Sequence, residues 1–188
     1  VRLLRAAIEL FAEKGYERTT AAEIGIRAGF SRNMVRDRYG SKEALLQSLF
    51  DSFGEHLLPI GRRERTGDGL NHVLSQLDDL AYSIRNEPEA MRAMIVLSFE
   101  TPGPLGKFAP WLEDLIAGYQ RELAEHLALG QLDGSVRRDL DPVREAEVFV
   151  SYAIGLCFRS ALLREAYDFP GEVDAWRLRL EDHLRSTP

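Results

Sequence analysis

GFSRNMVRDRYGSKEALL, residues 29–46, decides how this chain is read. It gathers Arg32, Arg36, Arg38 and Lys42 into one short stretch of an acidic protein, between and around Gly29 and Gly40. Ser31 and Ser41 stand where helix caps belong, so the stretch predicts a short helix ending near Tyr39-Gly40 and then the start of another, KEALLQSLF. On a helix turning about 100° per residue, Val35 and Tyr39 share one face, which has to be the buried one. Asn33, Met34 and Asp37 lie opposite. Arg36 and Arg38 fall on the flanks, where long cationic side chains reach phosphates on either wall of a groove. Arg32, at the start of the helix, is placed for a base edge or a phosphate.

Upstream, Leu4, Ala7, Ile8 and Phe11 follow the i, i+3, i+4, i+7 spacing of one buried helix face, and Gly15 stops that helix. TTAAE then sets Thr20 at an N-cap with Glu23 three residues on, the capping-box spacing. Ile24 and Ala28 supply the inner face of a second helix of about two turns. A short helix, a glycine turn and a second short helix rich in Arg and Lys have the helix-turn-helix outline, in which the second helix enters the major groove. Phosphate contacts give affinity and register, whereas base edges need partners: Arg for guanine, Asn for adenine, Asp for a cytosine amino group. Thr20 and the free N–H groups of the second helix's first turn add a phosphate site. Charge alone also fits the solvated face of an ordinary helix, and the outline by itself leaves both readings open.

Net charge divides the chain. The total is −6, yet residues 1–50 hold 9 basic and 6 acidic side chains, leaving 15 and 24 for residues 51–188. A small basic module joined to a larger acidic one is the expectation. At 45% hydrophobic and 29% charged residues over 188 positions, the chain can bury a core. No apolar run is read as approaching the roughly 20 residues that span a bilayer, and no signal-peptide pattern is read at the N-terminus, so a cytoplasmic protein is expected. Cys157, the one cysteine, sits in the apolar run VSYAIGLCFRSALL and reads as a core thiol. The helical pattern is already running at Val1, without an initiator Met, which leaves open whether residues, a basic arm among them, stand upstream.

Sustained period-2 alternation and internal repeats are both absent from the sequence. Breakers at 59–69, 86–88, 101–110, 130–142 and 169–171 separate amphipathic segments near 70–85, 89–100, 110–129, 142–166 and 172–185, with Pro88 and Pro142 at first-turn positions. The fold class expected is all-α with about nine helices: a three-helix helix-turn-helix domain over 1–45 and a larger helical domain over 46–188.

RAAIELFAEKGYERTTAAEIGIRAGFSRNMVRDRYGSKEALL resembles, motif for motif, the N-terminal domain of the TetR family of one-component transcriptional regulators. AAIELFAEKGYERTT matches the family's first helix and the approach to its second, IGIRAGFS the second helix and turn, and RYGSKEALL the end of the recognition helix and the start of the fourth. The resemblance implies a homodimeric repressor, released from a palindromic double-stranded operator by a small-molecule effector held in the C-terminal domain, without cofactor or membrane. It also implies that Thr20, Arg36, Arg38 and Lys42 meet the DNA backbone, while Arg32, Asn33, Met34 and Asp37 face bases. There are departures. Arg36 stands where the family usually has tyrosine, Asp37 where a second aromatic is common, Asn33 for a frequent glycine and Met34 for a frequent threonine, which points to an unusual operator. Gly25, where the family prefers alanine, is expected to weaken the second helix by about 1 kcal/mol.

In the acidic remainder the resemblance gives architecture and no ligand. Phe53, Leu57, Tyr82, Met91, Met94, Phe99, Trp111 and Tyr119 are the large groups on the middle helices, either core or pocket lining. Met91 and Met94 can repack around varied shapes, and Trp111 and Tyr119 offer a polar handle. For the dimer, EAEVFVSYAIGLCFRSALL is apolar almost all round and needs cover on more than one side, and the last helix adds Trp176 and Leu180. Phe149, Ala153, Leu156, Ser160, Trp176 and Leu180 are the expected interface of a four-helix arrangement about a two-fold axis. Catalysis finds no support. His56, His72, His126 and His183 lack metal-ligand spacing, and GxSxG and phosphate-cradling glycine loops are missing. The rival is a helical small-molecule-binding protein with a non-functional helix-turn-helix.

Overall fold

The computed structural model describes residues 1–53 and 66–185. Over these the chain is all-α, with nine helices: α1 (Arg2–Lys14), α2 (Ala21–Arg27), α3 (Met34–Tyr39), α4 (Lys42–Ser52), α5 (Gly69–Asn86), α6 (Pro88–Glu100), α7 (Ala109–Asp133), α8 (Pro142–Leu163) and α9 (Phe169–Leu184). Short 3-10 turns at Gly106–Phe108 and Arg164–Ala166 precede α7 and follow α8. The described residues form two compact units, 1–53 with 87–112 and 66–86 with 113–185.

The first unit holds α1 to α4 together with α6, which packs on α1. That contact corrects the face expected of α1. Ala7 and Phe11 are buried, but Leu3, Ala6 and Leu10 complete the stripe while Leu4 and Ile8 are half-buried. A helix covered by two neighbours, α2 and α6, buries a broader and rotated arc than a single amphipathic stripe suggests. Around Phe50, the rings of Trp111 (4.6 Å), Phe108 (4.9 Å) and Phe53 (6.2 Å) close the core at the far end of α4.

Two other expectations change in detail. α3 starts at Met34 with Asn33 in the cap position, because the Ser31 carbonyl is taken by the Met34 N–H (3.1 Å) in a preceding turn. Gly25, read as a weak point of α2, is buried where a Cβ would overlap the Ser31 carbonyl oxygen. The glycine lets that turn close against α2, and its own carbonyl accepts from the Phe30 N–H (2.9 Å). Propensity alone therefore misstates its role.

The second unit is built on one apolar cluster that includes Leu70, Val73, Leu77, Leu123, Leu127, Phe149, Leu156 and Trp176. Pro142 opens α8 as expected, and Asp141 caps it, its carboxylate accepting from the Val143 N–H (2.9 Å). Phe169-Pro170-Gly171, read as a break, is instead the first turn of α9. Asp168 caps it by accepting from the Gly171 N–H (3.1 Å), and proline is tolerated there because its missing N–H would have had no helical partner. By length and composition Pro142–Ala166 is apolar enough to cross a bilayer, which corrects the reading that no run approaches that length. Cys157 on its buried side is a core thiol, pushed up to about 12 by burial.

Candidate nucleic-acid interface

Local chemistry fixes α2. Thr20 Oγ1 accepts from the Glu23 N–H (3.2 Å), and the Glu23 carboxylate accepts in return from the Thr20 N–H and hydroxyl (both 2.8 Å). Lys14 adds an ion pair to the same carboxylate at 2.7 Å. The Lys14 hydrogen bond first, and those from Thr20 after it, hold the Glu23 carboxyl down at about 2, against a usual 4.5. A depressed carboxyl stabilises the fold fully above its ordinary value and loses that contribution as pH falls through its folded value. Helicity of the first unit is accordingly expected to decline between about pH 4.5 and about pH 2, and Glu23→Gln to flatten that part of a circular-dichroism pH titration. An identical titration for the variant would remove Glu23 as the cause.

Eight of the nine basic residues of the module separate into two groups, and Arg5, exposed on α1, belongs to neither. Arg27 clamps Glu13 (2.9 Å) and Glu9 (3.3 Å), Arg18 donates to the Lys14 carbonyl (2.9 Å), and Arg2 lies 4.3 Å over the Phe30 ring. Lys42, half-buried, donates to the carbonyls of Tyr16 and Thr19 at 2.8 Å each and sits 3.7 Å over the Tyr16 ring. Burial lowers its pKa, against the opposing pull of Glu17, Glu100 and Glu23. By contrast Arg32, Arg36 and Arg38 are exposed, and among the described residues none has a carboxylate within ion-pair distance.

Asn33 and Asp37 are exposed beside them, Met34 is half-exposed, and Val35 is fully buried. The Asn33 side chain makes no cap hydrogen bond, so its amide is available to a base edge. Thr20 is exposed too, but its hydroxyl is engaged by Glu23. Of the eight residues expected at DNA, Arg32, Asn33, Met34, Arg36, Asp37 and Arg38 thus sit on or just before one short helix, while Thr20 and Lys42 are tied into the loop that holds it. Glu23, Gly25 and Glu100 shape this site without having been singled out for it. Only the Thr20-Glu23 spacing signalled one of them.

The pocket and dimer candidates are dispersed. Phe53, Met91 and Met94 are buried in the first unit, where Trp111 is half-buried, while Tyr119 packs against the core of the second. Phe99 and Tyr82 are 63% and 57% exposed, and Leu57 lies outside the described residues. Phe149, Leu156 and Trp176 are buried in the core of their own unit, with Ala153 and Leu180 packed at its margin and Ser160 half-buried. Among the described residues no group of three His, Cys, Asp or Glu side chains is placed to hold a metal ion.

Residues 3–49 match the family model described as bacterial regulatory proteins, tetR family. Over the whole chain the sequence is 26% identical to the HTH-type transcriptional regulator TtgR of Pseudomonas putida, of which it covers 91%. It is 29% identical to the A-factor receptor protein of Streptomyces griseus across 93% of this chain and 60% of that one. The crystal structure of the MbdR regulator from Azoarcus sp. CIB superposes with a TM-score of 0.84 over 97% of both chains at 18% identity, a likeness of fold. With a module over residues 3–49 that matches the tetR family of bacterial regulatory proteins and the same all-helical fold beyond it, this chain is similar to the transcriptional regulators of that family.

Proposed function

We propose that the chain is a homodimeric, cytoplasmic repressor that holds a two-fold operator through α3 of each subunit and leaves it when a small molecule binds. Residues 1–45 read the DNA, and residues 46–188 hold the effector and the partner subunit. The observation that carries the DNA reading is the segregation of charge. Lys14 and Arg27 are paired with carboxylates, whereas Arg32, Arg36 and Arg38 are exposed together on and just before α3, free to replace counterions on phosphates. The effector reading rests on the likeness to the tetR family and on a relative that is by name a receptor. Tyr119, Trp111, Met91 and Met94 remain the side chains proposed to meet the effector. Lys42 and Thr20 act by holding the α1–α2 loop.

Arg36→Ala and Arg38→Ala are each expected to weaken binding to every DNA sequence and to flatten the plot of log K against log salt by roughly 0.9 per lost phosphate contact. Mobility shifts over a salt series measure this, and unchanged slopes in both variants would remove the assignment. Asn33→Ala is expected to act differently, altering preference at one position of each half-site at a cost of roughly 1–3 kcal/mol. Selection from random DNA that returns the same sequence for variant and wild type would show that Asn33 reads no base.

A further inference from the structure

We propose that Glu100, the last residue of α6, is a positioning residue that strengthens DNA binding by fixing the loop between α1 and α2. The inference rests on the DNA-binding reading above. The Tyr16 N–H donates to both oxygens of the Glu100 carboxylate, at 3.1 Å each. From the other side, Lys42 at the start of α4 takes the Tyr16 and Thr19 carbonyls of the same loop. Residues 16–19 are therefore gripped by a donor on one helix and an acceptor on another, and the next residue, Thr20, caps α2.

Two neighbours make the grip specific. Thr19 is fully buried and its hydroxyl donates to the Gly15 carbonyl (2.7 Å), so the loop has no slack on its inner side. Gly15 has φ +78°, and a Cβ there would overlap the Glu100 carboxylate. The position thus requires glycine twice, once for its backbone and once to admit the acid. α2 and α3 follow directly from this loop, and Gly25 seats the turn between them on α2.

An acid packed against the DNA-binding residues repels phosphate, so on charge alone removing Glu100 tightens binding. Positioning has the opposite sign. The test uses the full chain and a duplex selected from random DNA by the wild type, with dissociation constants measured across a salt series for E100A and E100Q. Both substitutions remove the same charge, but the Gln side-chain oxygen still accepts from the Tyr16 N–H. E100A is expected to bind roughly ten-fold more weakly, with an unchanged salt slope because no phosphate contact is lost. E100Q is expected to recover most of that affinity, and Tyr16 amide exchange to quicken in E100A alone.

E100A binding as well as or better than wild type overturns the inference, as does E100Q as weak as E100A. Losses in both variants that follow a common fall in melting temperature mark a merely structural role and overturn it too. A wild type that selects no sequence and shows no salt-dependent binding removes the DNA-binding reading itself, and this inference with it.

Discussion

Replacing Gly69 by alanine is expected to lower the thermal midpoint by roughly 6–12 °C, by forcing α5 off α7. A Cβ at Gly69 would overlap the Gly130 backbone N and Cα and lie 2.6 Å from the His126 carbonyl oxygen. All three are main-chain atoms of one helix, so no side chain can swing away. The crossing is also pinned by polar contacts, since the Gly69 N–H donates to Asp133 (2.8 Å) and the Leu70 N–H to Ser135 (3.1 Å). Separating the helices loosens the cluster formed by Leu70, Val73, Leu127 and Val136. Overpacking costs about 1–3 kcal/mol, and a contact made wholly of backbone belongs at the upper end, which at about 2–4 °C per kcal/mol for a chain of this size gives the expected shift. Helix propensity alone argues for the opposite sign, with alanine better by up to about 1 kcal/mol. Calorimetry of Gly69→Ala decides. A midpoint unchanged or raised would mean that the crossing tolerates a methyl group.

Gly69 and Gly25 illustrate what a sequence carries and what it does not. Both read as local features, a breaker and a weak helix position, and both turn out to be places where another backbone comes close. The caps at Thr20 and Ser41 and the first-turn prolines Pro88 and Pro142 lie where the sequence reading placed helix starts, because their partners are within a few positions along the chain. Periodicity likewise found the helices. It did not find which neighbour covers each face, so α1 is rotated from its expected stripe once α6 lies on it. The same limit applies to the site. The cationic character of α3 was legible, but the withdrawal of Lys42 into the Tyr16-Thr19 loop depends on a contact 23 to 26 residues away. Glu100 is 84 residues from its partner, with no local signal to mark it.

Phe158→Glu combined with Leu162→Glu is expected to convert a dimer into a folded monomer and to weaken operator binding by roughly 10²–10⁴-fold through lost avidity. Two recognition helices can meet successive major grooves only if a two-fold axis holds them about 34 Å apart, and the exposed side of α8 is the surface proposed to form it. One side of this helix, with Phe149, Val150, Leu156 and Cys157, is buried in its own unit. The other leaves Leu162 65% and Phe158 40% exposed, with Val148 and Tyr152 exposed beside them. Ser151 and Gly155 lie between these larger groups, and a Cβ at Gly155 would meet nothing within 4 Å, which leaves room for a second helix to approach. Leu178, 70% exposed on α9, extends the apolar surface to a second helix. Exposed apolar groups gathered on one face of a subunit mark a surface that another chain covers. The buried residues of these helices behave differently: Leu156→Glu or Trp176→Glu places a charge in the monomer's own core at a cost of several kcal/mol and is expected to give unfolded protein. Light scattering and circular dichroism separate the outcomes. A Phe158→Glu, Leu162→Glu protein that is still dimeric at micromolar concentration would move the axis to another surface, and a wild-type monomer that binds a two-fold operator tightly would remove the dimer altogether.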